Sequence, residues 1–282
     1  GAISNYPQND LRRHESALWA FGEESVTVSN RLQAADFDSL SLPDAGWYVI
    51  RADDNYMVIQ AGENGSEGWG THAHNDILSF ELLVGQRAFI IDPGSYIYTG
   101  NYRARNMYRG IAAHNTVQID RHETNRIPKK DMFRMSNDAS VTIHEWDTDD
   151  CRTWFDAEYV SPVSVAKNVY HRRKFEYFHD LAYWVISDSA GYLGGDEDEL
   201  SNITMYFHFS NLCIELDGLV ARTCFPDGPN LAVLPLYEDV LGDSSTGIDA
   251  IINTGWVSSR YGVQEKGPIL QYSMLSNRQN VL

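Results

Sequence analysis

Short apolar runs separated by turn-forming residues dominate the pattern of hydrophobic and polar positions along the chain. Runs rich in Val, Ile, Tyr, Phe and Thr recur between clusters of Gly, Asn and Asp, as in the segments YMVIQAG, ILSFELLV, RAFIID, HNTVQID, ASVTIHEW and ITMYFHFS. Such runs are typical of short strands, and apolar stretches with a helical period are scarce. The pattern predicts an all-β fold, a large antiparallel β-sandwich built from several sheets.

The domain organisation predicted from the same pattern is simple. Residues 1–30 are predicted to be a connecting arm, and the spacing of Leu11, Leu18 and Trp19 permits a short helix over residues 7–21. No clear linker or repeat divides the rest of the chain. Residues 31–282 are therefore predicted to form one β domain, which the length of 282 residues allows.

Charge limits the classes of partner. The chain has 22 basic and 39 acidic residues and a net charge of −17, which argues against a protein that binds nucleic acid through a general basic surface. Residues 101–134 are the exception, with eight basic and three acidic side chains. A polyanionic ligand would be repelled by most of the surface and attracted to this segment.

The sequence also bears on compartment and redox state. No apolar run approaches the roughly 20 residues of a membrane helix, so no membrane insertion is expected. The first residues lack the features of a signal peptide, which suits either a cytosolic protein or a processed or excised piece.

Cys151, Cys213 and Cys224 have no metal-site spacing, and they are expected to be idle thiols or to include one Cys213–Cys224 bridge.

Two apolar runs, ILSFELLV and RAFIID, predict a hairpin that turns at Gly85-Gln86. The hairpin would bring the flanking segments THAHND and DPGSY to the same edge of the sheet, with Asp92 opposite about Ser79. His74 lies further back, so the loop before the first strand must curl if the imidazole is to reach Asp92.

A second histidine-bearing strand is predicted in AAHNTVQID. Alternation there places Val117 and Ile119 on one face and His114 on the other, away from the hydrophobic side. Together His74, Asp92 and His114 would form a two-imidazole, one-carboxylate set that suits zinc, and His72 beside them would be free for proton transfer. The alternative is that each histidine is structural.

The stretch GWGTHAHNDILSFELLVGQRAFIIDPGSYIYTG, followed by RNMYRGIAAHNTVQID, closely resembles the heparinase II/III-like polysaccharide lyases. The C-terminal domains of that family carry a G-x-H-x-H-x-D-like stretch, a D-P-G-x-Y-x-Y turn and an A-H-N-T strand in this order. The matching motifs cover about residues 68–120. The strand pattern before and after them extends the resemblance over most of the chain.

The resemblance implies particular roles for residues at the matching positions. His74, Asp92 and His114 would bind zinc or another divalent metal, and His72 would line the catalytic cleft. The implied reaction removes the C5 proton of a uronic acid residue and eliminates the bond at C4. Tyr98 is the preferred cleft tyrosine, with Tyr102 nearly as good.

The substrate implied by the resemblance is an acidic polysaccharide. Arg105, Asn106 and Arg109 could bind its carboxylate or sulfate groups, unless these side chains are solvated or structurally paired. Trp69, between two glycines, could stack on a sugar ring or could anchor its own loop. Asn115 and Thr116 are expected to hold the strand and to support the site rather than to react.

This sequence departs from the family in one respect. Full-length members place an α-helical toroid before the β domain, and the toroid supplies the principal catalytic Tyr and the Asn or His that neutralises the carboxylate. No such region is present here, so the chain is expected to be the C-terminal part of a longer periplasmic or secreted lyase and to be poorly active alone. The remaining alternatives are a non-catalytic carbohydrate-binding or biosynthesis-associated module and a metal hydrolase that uses the H-x-H pair directly.

Overall fold

A computed structural model describes residues 38–52, 54–85, 87–164, 167–194, 200–236 and 247–276. The expected arm, with its short helix over residues 7–21, lies outside these residues. So does Gln86, the second residue of the expected hairpin turn.

Strands account for most of the described chain. In order they are β1 (Leu40–Leu42), β2 (Trp47–Ala52), β3 (Asn55–Gln60), β4 (Phe80–Val84), β5 (Arg87–Ile90), β6 (Val117–Ile119), β7 (Ser140–Thr148), β8 (Arg152–Ser164), β9 (Lys167–Phe178), β10 (Tyr183–Leu193), β11 (Ser201–His208), β12 (Ile214–Asp217), β13 (Val220–Thr223), β14 (Ala232–Val233), β15 (Asp249–Arg260) and β16 (Val263–Ser276). Short 3-10 helices span Pro43–Ala45, Ser66–Gly68 and Ile111–Ala113.

The strands form four antiparallel sheets. The first runs in chain order from β1 to β5, the second is ordered β10-β9-β8-β7, the third β15-β16-β11-β6 and the fourth β12-β13-β14. Each pairing is antiparallel, as hairpin-connected strands require. The all-β, multi-sheet sandwich predicted from the sequence is confirmed.

The main core lies where the first two sheets face each other. Phe80 from β4, Phe155 from β8 and Phe175 from β9 are buried there with Tyr48 from β2. Alternate positions of β9 face inward, as the two-residue period of a strand dictates. Those inward positions include the polar residue Arg173, which is fully buried and reaches the loops of the site.

The hairpin of β4 and β5 forms as predicted, with Val84 opposite Arg87. A bulge then shifts the register by one residue, so that Leu82 pairs with Ile90. An extra residue in one strand bends the ladder and changes the direction of the chain beyond it. The segment after Ile90 therefore leaves this edge displaced from the register that the sequence suggested for Asp92.

One α-helix, α1 (Tyr102–Arg109), was not expected from the sequence. Asn101 precedes it in an extended conformation, and its side chain accepts a hydrogen bond of 3.1 Å from the backbone N–H of Ala104, which satisfies one of the free donors of the first turn. The helix turns Arg105 and Arg109 inward. In the part of the chain that the structure describes, no helix has the length and apolar character to cross a bilayer.

Candidate functional site

The site begins at His114, which directly follows the Ile111–Ala113 helix in an extended conformation and is fully buried. Its Nδ1 donates a hydrogen bond of 2.7 Å to Oδ2 of Asp92. The other carboxylate oxygen of Asp92 accepts a hydrogen bond of 2.8 Å from the N–H of Gly94, so the Asp-Pro-Gly turn fixes the acid. The Nε2 of His114 is buried without a hydrogen-bond partner among the described residues, and in the neutral ring it carries an unshared lone pair.

His74 and Asp76 complete a cluster around that ring. The rings of His74 and His114 are 5.1 Å apart, and one ligand atom from each of His74, Asp76 and His114 lies within 4.8 Å of the other two. The structure thus brings both predicted imidazoles together. Asp92, the carboxylate predicted from the sequence, bonds to His114 but is outside this three-residue set, in which Asp76 is the carboxylate. Asp76 belongs to the same THAHND motif as His74, two residues further along the chain. That position is the sequence feature from which Asp76 could have been proposed as a ligand.

Burial and charge set the protonation of the cluster. Burial, reinforced by the charge of His114, lowers the pKa of His74 to about 3, which keeps its imidazole neutral. Burial raises the pKa of Asp76 to about 6. For Asp92, burial acts to raise the pKa, but the charge and hydrogen bond of His114 outweigh it and the pKa is lowered. A bound cation would accept the lone pair of the neutral His74 imidazole and would offset the buried charge of Asp76 and Asp92.

Arg105 connects this inner cluster to the surface. Its side chain is buried, and its Nη1 lies 2.9 Å from Nε2 of His74, where it can donate to the neutral imidazole. The guanidinium carbon lies 4.9 Å from the centre of the Tyr98 ring, a cation–π contact. The sequence left two roles open for Arg105, substrate binding and structural pairing; in the structure its contacts are with His74, Tyr98 and the backbone carbonyl of Met132.

His72 and Tyr98 meet at the mouth of the site. Their rings are 5.7 Å apart at 71°, an edge-to-face contact. His72 is exposed and has a φ of 55°, a left-handed conformation that non-glycine residues adopt at a cost. Tyr96, with a φ of 57°, is held in the same region of backbone space. Such conformations concentrate at functional sites, because the surrounding structure must enforce them.

Tyr261 is a site residue that sequence reasoning missed. It lies in the turn between β15 and β16, is 63% exposed, and stacks on Tyr98 with ring centres 6.1 Å apart at 13°. The N–H of Gly262 donates a hydrogen bond of 2.7 Å to the carbonyl of Tyr96, which ties this turn to the site. No local sequence motif predicts a role for Tyr261, because only the tertiary fold brings the β15–β16 turn next to Tyr98.

Two other candidates from the sequence, Trp69 and Tyr102, are at least partly exposed. Trp69 is 61% exposed and has the guanidinium of Arg134 5.6 Å from its ring centre. Tyr102 begins α1 and contacts Arg103. Of the two candidate tyrosines, the described ring contacts pair His72 with Tyr98.

Arg109 is internal, and the half-buried Asn106 bonds to it. Arg109 is fully buried and donates to the side-chain oxygen of Asn106 and to the carbonyls of Asp131 and Arg134, at 2.8 and 3.2 Å for the two carbonyls. Burial lowers the pKa of Arg109 to about 10. These bonds fix the loop beside Trp69, so the structure supports the structurally paired alternative for both residues.

Asn115 holds the site together. Its Nδ2 donates to the carbonyls of Phe80 and Ile91, its Oδ1 accepts from the N–H of His208, and its own carbonyl accepts from Arg173. The supporting role expected for Asn115 from the sequence is confirmed. The asparagine links β4, the end of β5 and β11 immediately beside His114.

Comparison with known proteins identifies the family of the chain. The sequence pattern of the family described as "Heparinase II/III-like, C-terminal" matches residues 34–274. A heparin-sulfate lyase from Pedobacter heparinus is 26% identical over 227 residues, which cover 76% of this chain and 30% of that protein. A heparin-sulfate lyase from Bacteroides stercoris is 23% identical over 77% of this chain and 29% of its own length. The chain thus spans about 30% of the length of these relatives.

Solved structures share the fold. A heparan sulfate lyase mutant from Pedobacter heparinus superimposes with a TM-score of 0.69 at 21% identity, over 96% of this chain and 40% of that one. A heparinase III structure gives a TM-score of 0.67 at 21% identity, over 95% and 38%. The sequence match over most of the chain and the shared fold lead to one assignment: the chain belongs to the heparinase II/III-like family, in the region described by its C-terminal domain.

Proposed function

We propose that this chain is the C-terminal, metal-binding part of a polysaccharide lyase that cleaves uronic-acid-containing acidic polysaccharide by β-elimination. The observation that carries the proposal is the contact between His72 and Tyr98 at the mouth of a site whose floor is the His74, Asp76 and His114 cluster. The relatives from Pedobacter heparinus and Bacteroides stercoris are heparin-sulfate lyases, which supports a polysaccharide of this chemical class.

The proposed reaction needs one group to take a proton and one to give a proton. Loss of the C5 proton leaves its electron pair to form the C4–C5 double bond, while the bond from C4 to the glycosidic oxygen breaks and that oxygen gains a proton. Tyr98 and His72 are adjacent, and phenol and imidazole are both able to exchange protons in this way. Arg105, against the Tyr98 ring, adds a fixed positive charge close to where negative charge develops.

The cluster fits a divalent cation. His74 and Asp76 would hold the ion together with the unpartnered Nε2 of His114, and Asp92 would orient His114 from behind. When bound, a zinc-like ion would supply positive charge that offsets the buried carboxylates and would join the loop of His74 to the segment of His114. The resemblance to the family favours Asp92 as a direct ligand, and the metal affinities of Asp76→Asn and Asp92→Asn separate the two assignments.

The surroundings of the mouth suit a polyanionic chain of sugars. Trp69 and Tyr261 present exposed aromatic faces, and aromatic rings stack on the apolar faces of sugar rings. Exposed basic side chains lie on α1 and on the segment after β6, at Arg103, Arg121, Arg126, Lys129, Lys130 and Arg134. The positive segment expected from the sequence is thus carried by these residues, while Arg105 and Arg109 are buried.

Two alternatives make different demands on the same residues. A metal hydrolase would use His72 and His74 on one ion, but His72 contacts Tyr98 and is absent from the described ligand set. A non-catalytic carbohydrate-binding module would need only the exposed aromatic and basic residues. Because that module would bind without chemistry, its affinity would not depend on the Tyr98 hydroxyl.

The deciding experiment uses the longest natural protein that contains this chain. We expect a rise in ultraviolet absorbance from unsaturated uronate when that protein is incubated with a heparan-type or alginate-type polymer, and little or no rise with residues 1–282 alone. Binding without any unsaturated product on every uronate polymer would favour the binding module. Because such polymers lie outside the cytoplasm, we propose a periplasmic or secreted location, which fractionation of the source cells would test.

A further inference from the structure

Two of the three cysteines lie opposite each other, far along the chain from the motifs of the site. The ladder of β12 and β13 pairs Ile214 with Thr223, and one step further the N–H of Cys224 donates a hydrogen bond of 3.1 Å to the carbonyl of Cys213. Both side chains are exposed thiols. Their sulfur atoms lie within 4.8 Å of each other, so the pair is positioned by the ladder and not by sequence spacing.

We propose that Cys213 and Cys224 form an intrachain disulfide that links the start of β12 to the end of β13. Residues directly opposite in a hydrogen-bonded antiparallel pair have Cα atoms about 5.5 Å apart. That spacing is within the roughly 4.4–6.8 Å that disulfides span, so only side-chain rotation is needed to bring the sulfurs together. Exposure of both thiols gives an oxidant access to them.

The bond forms by exchange with a small disulfide such as oxidised glutathione. The thiolate of one cysteine attacks a sulfur of the oxidant, which releases one glutathione thiol and leaves a mixed disulfide. The second cysteine then loses its proton and attacks the protein sulfur of that mixed disulfide, which releases the second glutathione thiol. Two protein thiols are oxidised and one oxidant disulfide is reduced to two thiols.

A metal ion is the competing use of this pair. Glu215 brings a carboxylate near both sulfurs, and the three ligand atoms lie within 4.8 Å of one another. Structural zinc sites, however, almost always take four protein ligands, and this exposed set supplies three.

The disulfide would lie next to a contact between Phe225 and β5, the strand that precedes Asp92. Cys224 directly precedes Phe225, whose ring lies 3.6 Å from the guanidinium carbon of Arg87 and 6.1 Å from the ring of Phe89. Arg87 also donates to the carbonyl of Pro229. Arg87 and Phe89 belong to β5, the strand that leads to Asp92. The disulfide would therefore brace the end of the β12–β13 ladder next to Phe225, the residue that contacts that strand.

The test compares residues 1–282 equilibrated with oxidised glutathione and with a reducing agent, followed by alkylation of the folded protein and intact mass analysis. We expect three alkylated thiols in the reduced protein and one in the oxidised protein. Digestion without reduction should release a cross-linked peptide pair that contains Cys213 and Cys224. The thermal midpoint of the oxidised form should be higher by roughly 3–6 °C, since the bond restricts a short loop of the unfolded chain.

Matched variants assign the bond. After oxidation, Cys151→Ser should keep the cross-link and have no thiol left to alkylate. Cys213→Ser and Cys224→Ser should each show no intrachain cross-link and no rise in the thermal midpoint. Three reactive thiols after oxidation, or stable glutathione adducts without a cross-link, would overturn the proposal. Protection of two thiols by one added zinc ion, with no cross-link after the zinc is removed and oxidant supplied, would assign the pair to metal instead.

Discussion

The Nδ1 of His114 donates to Oδ2 of Asp92 at 2.7 Å, and the Nε2 of the same ring is buried without a partner in the described chain. In the neutral ring the carboxylate therefore fixes the tautomer, with the proton on Nδ1 and an unshared lone pair on Nε2. One ligand atom from each of His74 and Asp76 lies within 4.8 Å of a ring nitrogen of His114. A buried nitrogen without a partner is energetically unfavourable, and a divalent cation bound in the cluster would pair the Nε2 of His114.

The first prediction concerns that cation. We expect about one zinc-like ion per molecule of residues 1–282, with affinity at least about 100-fold weaker in His114→Ala and in Asp76→Asn, because each removes a ligand. Asp92→Asn should weaken binding by roughly 10–100-fold, the usual effect of removing a group that orients a metal-bound histidine. Metal analysis after dialysis and titration calorimetry would give stoichiometry and affinity.

Asp44→Asn, at an exposed carboxylate outside the site, is the control and should bind the ion as the unaltered chain does. Unchanged affinity in Asp76→Asn together with complete loss in Asp92→Asn would instead assign the carboxylate ligand to Asp92, as the family resemblance implies. A purified chain that binds no divalent ion would reject both assignments.

The sequence predicted the parts of the site that lie in short motifs and missed those that depend on tertiary structure. His72, His74 and His114 could be named because strand alternation and resemblance to the family both drew attention to them. The sequence analysis named Asp92 as the carboxylate and did not name Asp76, since a bulge in the β4–β5 ladder, which no local pattern shows, shifts the register between the loops that carry them.

The missed features are non-local or short. Tyr261 reaches Tyr98 only through the β15–β16 turn. The helix α1 has eight residues, too few for a clear helical period, and two of its buried positions are arginines. Burial of Arg109 depends on carbonyls of a loop more than twenty residues further on, which no local pattern shows.

The second prediction tests the proton-exchanging pair in the longest natural protein that contains the chain. Tyr98→Phe keeps the ring that contacts His72 and Arg105 and removes only the hydroxyl. We expect turnover to fall by about 10²–10⁴-fold with the metal retained, the usual contribution of a positioned acid or base. His72→Ala should fall within the same range. Product absorbance gives the rate.

Tyr102→Phe is the matched control for Tyr98→Phe, because it removes a hydroxyl from the neighbouring candidate tyrosine. We expect it to turn over substrate at close to the unaltered rate. The reverse result, with Tyr102→Phe impaired and Tyr98→Phe active, would move the cleft tyrosine to Tyr102.

The third prediction concerns Asn115. Asn115→Ala leaves the carbonyls of Phe80 and Ile91 and the N–H of His208 without their partner. Since each buried group left unpaired costs about 1–3 kcal/mol, we expect the free energy of unfolding to drop by at least about 3 kcal/mol. Urea unfolding followed by tryptophan fluorescence would measure it.

Asn253→Ala is the control for Asn115→Ala, because Asn253 is exposed and its side chain bonds only to Gln271 among the described residues. It should change stability by less than about 0.5 kcal/mol. Equal losses in the two variants would show that the bonds of Asn115 do not hold the loops.

The fourth prediction is a pH dependence of stability that arises from Asp188. Burial acts to raise the pKa of Asp188, but the charge of Arg173 and the hydrogen bond of His171 outweigh it and lower the pKa to about 2. A carboxyl whose folded pKa lies below its unfolded value of 3.8 stabilises the fold above that value, and the contribution is lost as pH falls from about 4 toward 2.

Asp188→Asn should therefore be less stable at pH 7 by about 3–5 kcal/mol, because Arg173 is left as a buried charge without its carboxylate, and should lose less stability on acidification. Urea unfolding at pH values between 7 and 3 would measure both effects. Asp147→Asn, at an exposed position, should follow the unaltered chain at every pH. Parallel curves for Asp188→Asn and the unaltered chain would contradict the assignment.

The fifth prediction separates binding of the sugar chain from chemistry. Trp69 and Tyr261 are exposed aromatic residues, and one loop and one hairpin turn present them independently. Tyr261 stacks on Tyr98, one of the proposed reacting groups. Loss of one stacked ring should cost about 1–2 kcal/mol of binding, so Trp69→Ala and Tyr261→Ala in the longest natural protein should each raise KM by roughly 5–30-fold with metal content unchanged.

Tyr261 offers the sharper comparison, because its ring also stacks on Tyr98. Tyr261→Phe keeps the ring and should keep KM, whereas Tyr261→Ala frees the Tyr98 ring on that side and should also lower kcat if the stack orients the phenol. An increase in KM alone would make Tyr261 a sugar platform, and a fall in kcat alone would make it a positioning residue for Tyr98. Unaltered kinetics in Tyr261→Ala would remove the β15–β16 turn from the site, and the exposed aromatic face would then belong to Trp69.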